Sequence, residues 1–293
     1  MTRTSTIHES GSSGRLLRVC AISGACLHFA VGVLRADDKW PTTTETLPPA
    51  SQIIEEYIEA TGGKAARKKL HNRVMTGTLV ILQKKNNRTT SGPYTTYASV
   101  PNRNYRLWEP TGLGEFDWGT DGKVAWEITP TKGPRILEGE EKAATLRSST
   151  FHFELEWPRL YKKIVCKGVK KVEEQKFYAI VMTPHVGKPE TLYFDSETKL
   201  LVTRETTVVS PSGEFLVAVA YDDYKKVDGV LLPHTFAQRS VSSDMIYSFK
   251  KVEHNVDIPE RRFEIPDVIK VSLERRKKEN SKAEPSAPAG DRP

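Results

Sequence analysis

The chain has 293 residues and a formal net charge of +7, and its 38% hydrophobic and 28% charged residues are ordinary for a soluble globular protein. Removing residues 1–36 takes away four basic residues and one acidic residue, which lowers the net charge to +4. So mild a charge predicts no nucleic-acid partner, and the length allows one large β domain or two smaller domains.

Residues 1–36 predict an export signal peptide. A polar segment with two arginines precedes the apolar run Val19–Leu34, and small residues around Ala36 suit a cleavage site. The apolar run is shorter than the roughly 20 residues that a membrane span needs, so we expect a cleaved, periplasmic protein. The alternatives are an uncleaved N-terminal membrane anchor and a lipoprotein acylated at Cys26, which two small residues precede.

Residues 37–50 predict a flexible linker, because they are rich in Pro and Thr, which suit neither helix nor sheet. The folded domain is expected to begin at Ser51 with an amphipathic helix that ends at Gly62. The apolar stripe of that helix consists of Ile53, Ile54, Tyr57 and Ile58.

Serial antiparallel strands are predicted beyond this helix, since short, half-apolar runs alternate with Asp, Gly and Pro turns. In the first half the runs are Arg73–Gln83, Tyr94–Val100, Arg103–Trp108 and Lys123–Thr129, and the Asp-Gly dipeptide within Trp118–Gly122 predicts a tight hairpin that pairs the last of these with a strand just before it. In the second half they are Lys176–Met182, Glu190–Phe194, Lys199–Val209, Glu214–Tyr221, Gly229–Phe236 and Met245–Glu253. Between the two halves, Glu138–Glu156 is rich in helix formers and predicts a helical insertion.

The sequence contains no catalytic or metal-binding motif that we recognise. The five histidines beyond the signal show no pair at i, i+4 spacing, and no nucleophile elbow, phosphate loop or dinucleotide-binding glycine motif is present. Cys166 is the only cysteine expected after cleavage, and it has no histidine beside it in sequence. We therefore predict a protein that is not an enzyme and has no cofactor or metal.

Residues 267–293 are predicted to form a disordered tail, because the basic cluster Arg275–Lys278 is followed by Lys, Ser, Pro, Ala and Gly. Such a cluster could contact anionic headgroups at a membrane surface. A solvated run of charge is the commoner role for a cluster of this kind.

Two segments resemble a known protein family. Tyr193–Leu201 contains the hairpin pattern D-x-x-T-x-L-L, and Tyr221–Pro233 contains D-Y-x-x-V-D-G-V-x-x-P. With the leading helix and the ending Phe263–Pro266, they make residues 51–266 similar to the bacterial outer-membrane lipoprotein-sorting superfamily, the LolA/LolB-like fold. The resemblance implies a mainly β (α+β) domain with one strongly curved antiparallel sheet. In this superfamily the sheet is an incomplete β-barrel, lidded by helices, whose apolar inside can shelter acyl chains.

Alternation along two predicted strands indicates which residues face a ligand. Each strand places its odd or its even positions on one side of the sheet, and we expect the apolar sets to line the concave side. The aromatic end of the helical insertion is expected to belong to the cover, and ordinary core packing is the alternative. The predicted ligand-binding residues are Tyr105, Leu107, Val124, Trp126, Ile128, Phe151, Phe153 and Trp157.

These expectations favour an exported, non-enzymatic binding protein for lipid or lipoprotein acyl chains. The alternative is an envelope scaffold or sensor that recognises another envelope protein through the same half-barrel. Both functions depend on the resemblance, because a fold by itself does not specify a function.

Overall fold

A single antiparallel sheet of 13 strands dominates this computed structural model, which describes residues 46–210 and 213–283. The predicted export signal, most of the predicted linker and residues 284–293 lie outside the described residues. The strands are β1 (Asn72–Gln83), β2 (Arg88–Ser99), β3 (Arg103–Trp108), β4 (Phe116–Thr120), β5 (Ala125–Thr129), β6 (Gly133–Ile136), β7 (Tyr161–Val172), β8 (Gln175–Pro184), β9 (Glu190–Asp195), β10 (Leu201–Ser210), β11 (Gly213–Val227), β12 (Val230–Arg239) and β13 (Ser243–His254).

The sheet consists of two meanders joined at one place. Its strand order is β6-β5-β4-β3-β2-β1-β13-β12-β11-β10-β9-β8-β7, so only β1 and β13 pair without being consecutive in the chain. The edge strands β6 and β7 follow each other in sequence and are connected by the helical insertion. The predicted fold class, a mainly β (α+β) domain with a strongly curved sheet that stops short of a closed barrel, is confirmed.

Five helices accompany the sheet in the described part of the chain. They are α1 (Ala50–Ala60), α2 (Gly63–Lys68), α3 (Gly139–Ser148), α4 (Trp157–Leu160) and α5 (Asp267–Ala283). Single 3-10 turns lie at Phe153–Leu155 and Glu260–Phe263. The predicted leading helix and the predicted helical insertion are therefore confirmed.

The two faces of the sheet carry separate apolar cores. We call the face that packs against α1 the inner face; its core includes Ile180, Leu192 and Phe194 near α1, and Met75 and Trp108 further along the sheet. On the opposite, outer face, a smaller core lies beneath α5 and contains Trp126, Ile136 and Ile269.

The prediction of a disordered tail is wrong for residues 267–283. These residues form α5, in which Ile269 is fully buried and Leu273, one turn later, packs against the same outer-face core. Arg276 also forms an ion pair with Glu138. The apolar pair Ile269 and Leu273, at i, i+4 spacing, holds the helix on the sheet. Disorder was predicted from the high content of Lys and Arg, which hides this pair.

Candidate functional site

A cavity of about 190 Å³ lies between the inner face and the helical segments above it. We call α1, the turn Phe153–Leu155 and α4 the helical cover. From the cover, Tyr57, Phe153 and Trp157 line the cavity. From the sheet, the apolar lining residues are Met75, Leu192, Leu201, Leu232, Pro233 and Phe236. The cavity is thus mainly aromatic and aliphatic.

Aromatic packing holds the helical cover on the sheet. Trp157 is only 1% exposed, and its ring stacks on Tyr57 with 6.2 Å between the ring centroids. The edge of Phe194 on β9 meets the same indole ring at 6.2 Å, and Phe153 meets it at 5.8 Å. Each such aromatic pair contributes about 0.5–1.5 kcal/mol beyond the area buried, so Trp157 helps to hold the cover on the sheet together with the buried isoleucines of α1.

A buried cluster of charged groups extends from one wall of the cavity. The Glu190 side chain on β9 has no exposed surface and forms an ion pair with Arg204, which lines the cavity. The Tyr161 hydroxyl donates to Glu190, and Nε of Arg147 lies 3.5 Å from Oε1 of Glu190. Burial and the neighbouring Glu190 carboxylate raise the pKa of Tyr161 above its usual range. The phenol therefore stays protonated at neutral pH and remains a donor.

A second ion pair links the helical cover to α2. Nη1 of Arg67 lies 3.3 Å from Oε1 of Glu154, and Nη2 of Arg67 donates to Oγ1 of Thr61 at 2.6 Å. The Arg67 side chain is nearly fully buried, so the pair acts in surroundings where charge is poorly screened. It fixes the turn Phe153–Leu155 against the C-terminal end of α1.

The structure brings three of the predicted ligand-binding residues to the cavity. Phe151, Phe153 and Trp157 all line it, which is where the predicted cover was expected to meet a ligand. That these three residues contact a ligand is a proposal.

The other five predicted residues share one face, but it is the outer face. Tyr105 on β3 pairs with Gly119 on β4, and Gly119 pairs with Trp126 on β5, so Tyr105 and Trp126 lie on the same face of the sheet. Trp108 lies on the inner face and is three positions from Tyr105 on β3, so Tyr105 lies on the outer face. Leu107, Val124 and Ile128 belong with Tyr105 and Trp126 because alternate residues share a side. Alternation in sequence groups such residues correctly, but it does not tell which side of the sheet they occupy.

The outer face is apolar here because the C-terminal segment covers it. Trp126 is 2% exposed and packs against Ile269 of α5. The guanidinium of Arg262 lies 5.1 Å from the ring centroid of Tyr105, whose hydroxyl donates to Asp117. Because the tail was predicted to be disordered, no segment of the chain was expected to cover these apolar residues. They were therefore assigned to a ligand site, whereas α5 covers them in the structure.

Several cavity residues were not predicted. Met75, Leu232 and Phe236 could have been predicted from alternation along β1 and β12, because each lies on the side of its strand that carries the buried apolar residues. Arg73 and Arg204 have no comparable signal. An arginine in a strand normally indicates a solvent-exposed position, and only the tertiary arrangement reveals that these two line a cavity.

We expect Trp126→Leu to lower the free energy of unfolding by about 2–3 kcal/mol, somewhat less than a full Trp→Ala truncation, without changing ligand affinity. The indole packs beneath α5 on the face away from the cavity. Urea unfolding and titration with a fluorescent fatty-acid probe measure the two quantities. Probe affinity that falls while the variant stays folded would instead assign Trp126 to a binding site.

Across residues 46–210 and 213–283, no group of three or more His, Cys, Asp or Glu side chains is arranged to hold a metal ion. Among the helices described, none has the length and apolar character needed to cross a membrane.

Comparison with known proteins identifies the fold. The chain is similar to the crystal structure of a LolA superfamily protein from Nitrosomonas europaea, with 12% identity, a TM-score of 0.53, and coverage of 76% of this chain and 100% of the other. It is also similar to a DUF1329 family protein from Desulfovibrio piger, with 12% identity, a TM-score of 0.52, and coverage of 74% and 98%. No family model matches the sequence, and no curated protein does. The domain therefore has a LolA-like fold, as the sequence resemblance implied.

Proposed function

We propose that this protein is an exported, non-enzymatic binding protein whose inner-face cavity accepts the apolar part of a lipid or lipoprotein acyl chain. The observation that carries the proposal is the mainly apolar cavity between a curved sheet and a helical cover. Ligand sites in proteins are typically concave and mostly apolar, with a few polar groups that orient the ligand. The LolA-like fold agrees with this use of the inner face.

The volume of the cavity limits what it accepts. An apolar protein cavity of about 150 Å³ holds one benzene molecule, whereas sites for drug-sized ligands occupy about 300–1,000 Å³. At about 190 Å³, this cavity matches the end of a chain of roughly six carbons. We expect a longer acyl chain to displace the helical cover, and the contacts that resist this displacement are the Tyr57–Trp157 stack and the Arg67–Glu154 ion pair.

A series of fatty acids of increasing length tests the proposed function. We expect affinity to rise by about 0.8 kcal/mol for each added methylene until the cavity is full at roughly six carbons, and to rise more slowly beyond that. The slope changes because each further methylene must displace part of the cover. Displacement of a fluorescent fatty-acid probe measures the series.

The matched variants for this series are Phe153→Ala and Phe215→Ala. Phe153 lines the cavity, so Phe153→Ala should enlarge it, and the chain length at which affinity begins to rise more slowly should increase. Phe215 lies outside the cavity lining, so Phe215→Ala should leave the dependence of affinity on chain length unchanged. A wild-type protein that binds no chain of any length would contradict the proposed function.

Export is part of the proposal and has its own test. We expect the mature protein to begin at Asp37 and to reside in the periplasm, and N-terminal sequencing of the protein from cells measures this. A retained Met1 in the membrane fraction would support an uncleaved anchor, and an acylated Cys26 at the new N-terminus would support a lipoprotein. Contact of Arg275–Lys278 with a membrane surface and recognition of an envelope protein stay proposals.

A further inference from the structure

Arg73 on β1 lines the cavity. Its guanidinium carbon lies 5.7 Å from the ring centroid of Phe151, a contact that leaves the hydrogen-bonding edge of the group unused. Within residues 46–210 and 213–283, no carboxylate approaches Arg73 to ion-pair distance. Burial lowers its pKa below the usual arginine range, and Glu154 offsets only part of that cost. Arg73 is half-buried, so its guanidinium is accessible to an anion, and pairing with one would offset the partial desolvation of the charge.

The carboxylates near the cavity already have partners. Glu154 pairs with Arg67, and Glu190 pairs with Arg204 and accepts from Tyr161. Glu154 therefore acts on Arg73 only from beyond ion-pair distance. The charged residues in and beside the cavity wall are the two glutamates and four arginines, Arg67, Arg73, Arg147 and Arg204, so the group carries a net positive charge.

A second donor at the cavity also lacks an acceptor. Trp157 lines the cavity and is 1% exposed, yet its buried Nε1 has no hydrogen-bond partner in the described part of the chain. Buried polar groups in proteins nearly always have a partner, so the Nε1 of Trp157 is a donor that a ligand in the cavity can use. Together, Arg73 and Trp157 make the cavity rich in donors and short of acceptors.

We propose that the cavity selects ligands with an oxyanion head group, a carboxylate or a phosphate, which Arg73 binds and to which Trp157 Nε1 is a second donor. This inference rests on the proposed function and adds the chemistry of the head group to it. The guanidinium fork matches carboxylate and phosphate oxygens in a bidentate arrangement. The short apolar part of the ligand packs against Phe153 and Leu201, which line the same cavity.

The test compares hexanoate, hexyl phosphate and hexanol, which share a six-carbon chain, as competitors of a fluorescent probe. We expect wild-type protein to bind the two anions at least about tenfold more tightly than hexanol, as expected for hydrogen bonds to a charged group. Arg73→Met should abolish this preference for the two anions over hexanol. Arg88→Met, which alters an exposed arginine on β2, should leave the preference intact.

The outcomes separate the inference from the proposed function. Equal affinity for hexanol and both anions would overturn the inference while the proposed function stands, and no binding of any of the three would overturn both. If inorganic phosphate alone competes as well as hexyl phosphate, the apolar part is not recognised, and the proposed function fails together with the inference that rests on it. If Arg73→Met does not fold, Arg73→Lys serves instead: it keeps the charge, loses the fork, and should retain only part of the preference.

Discussion

Replacing Glu190 with alanine should lower the free energy of unfolding by about 3–5 kcal/mol, because removing one partner of a buried ion pair leaves the other charge uncompensated. The Glu190 side chain is fully buried and is the acceptor for both Arg204 and Tyr161. Without it, the Arg204 guanidinium stays beside the cavity with no carboxylate partner. Guanidinium-chloride unfolding at neutral pH measures the change.

Two variants control this experiment. Glu190→Gln keeps a neutral acceptor in place and should cost less than Glu190→Ala. Glu156→Ala breaks an exposed ion pair with Arg159, so we expect a change of no more than about 0.5 kcal/mol. A Glu190→Ala protein as stable as the Glu156→Ala protein would show that the buried cluster contributes little to the fold.

Replacing Trp157 with alanine should also destabilise the protein by about 3–5 kcal/mol, the usual cost of deleting a buried Trp side chain. The indole is 1% exposed and contacts Tyr57, Phe153 and Phe194 at once. Because Trp157 also lines the cavity, the truncation should enlarge it and allow longer chains to bind. Thermal unfolding with and without fatty acid measures both effects.

Ligand should partly restore the stability of the Trp157→Ala protein. A ligand that binds only the folded state stabilises it by about 2.7 kcal/mol at 100 times its dissociation constant. Trp118→Ala is the matched control, since Trp118 is half-buried near the other inner-face core and does not line the cavity. If fatty acid stabilises the Trp157→Ala protein no more than the Trp118→Ala protein, Trp157 does not belong to a ligand site.

The strands were the most predictable part of the fold. Alternation bounded by turn residues predicted eleven of the thirteen strands to within a few residues in most cases, and β3 is matched residue for residue. The two missed strands, β6 and β7, are the edges of the sheet. Pro134 in β6 and the lysines of β7 are features by which proteins protect edges from pairing, and they also remove the local signal for a strand.

The candidate site was predictable only in its cover. The aromatic cluster Phe151–Trp157 indicated a lid, and its members line the cavity. The sheet residues chosen for the concave side lie on the outer face, because their buried character comes from α5, a helix that the sequence composition concealed. Arg73 could not be predicted, since its position depends on the pairing of β1 with β13, in which its partner His254 is 181 residues away in sequence.

The position of a bound bromine atom tests the central claim most directly. A crystal of the protein with hexanoate carrying bromine on its terminal carbon gives an anomalous signal that locates the apolar end of the ligand. We expect the bromine on the inner face between Phe153 and Leu201, with the carboxylate at Arg73. A bromine on the outer face beside Trp126 and α5, or no ordered bromine at saturating ligand, would contradict the claim that the inner-face cavity is the binding site.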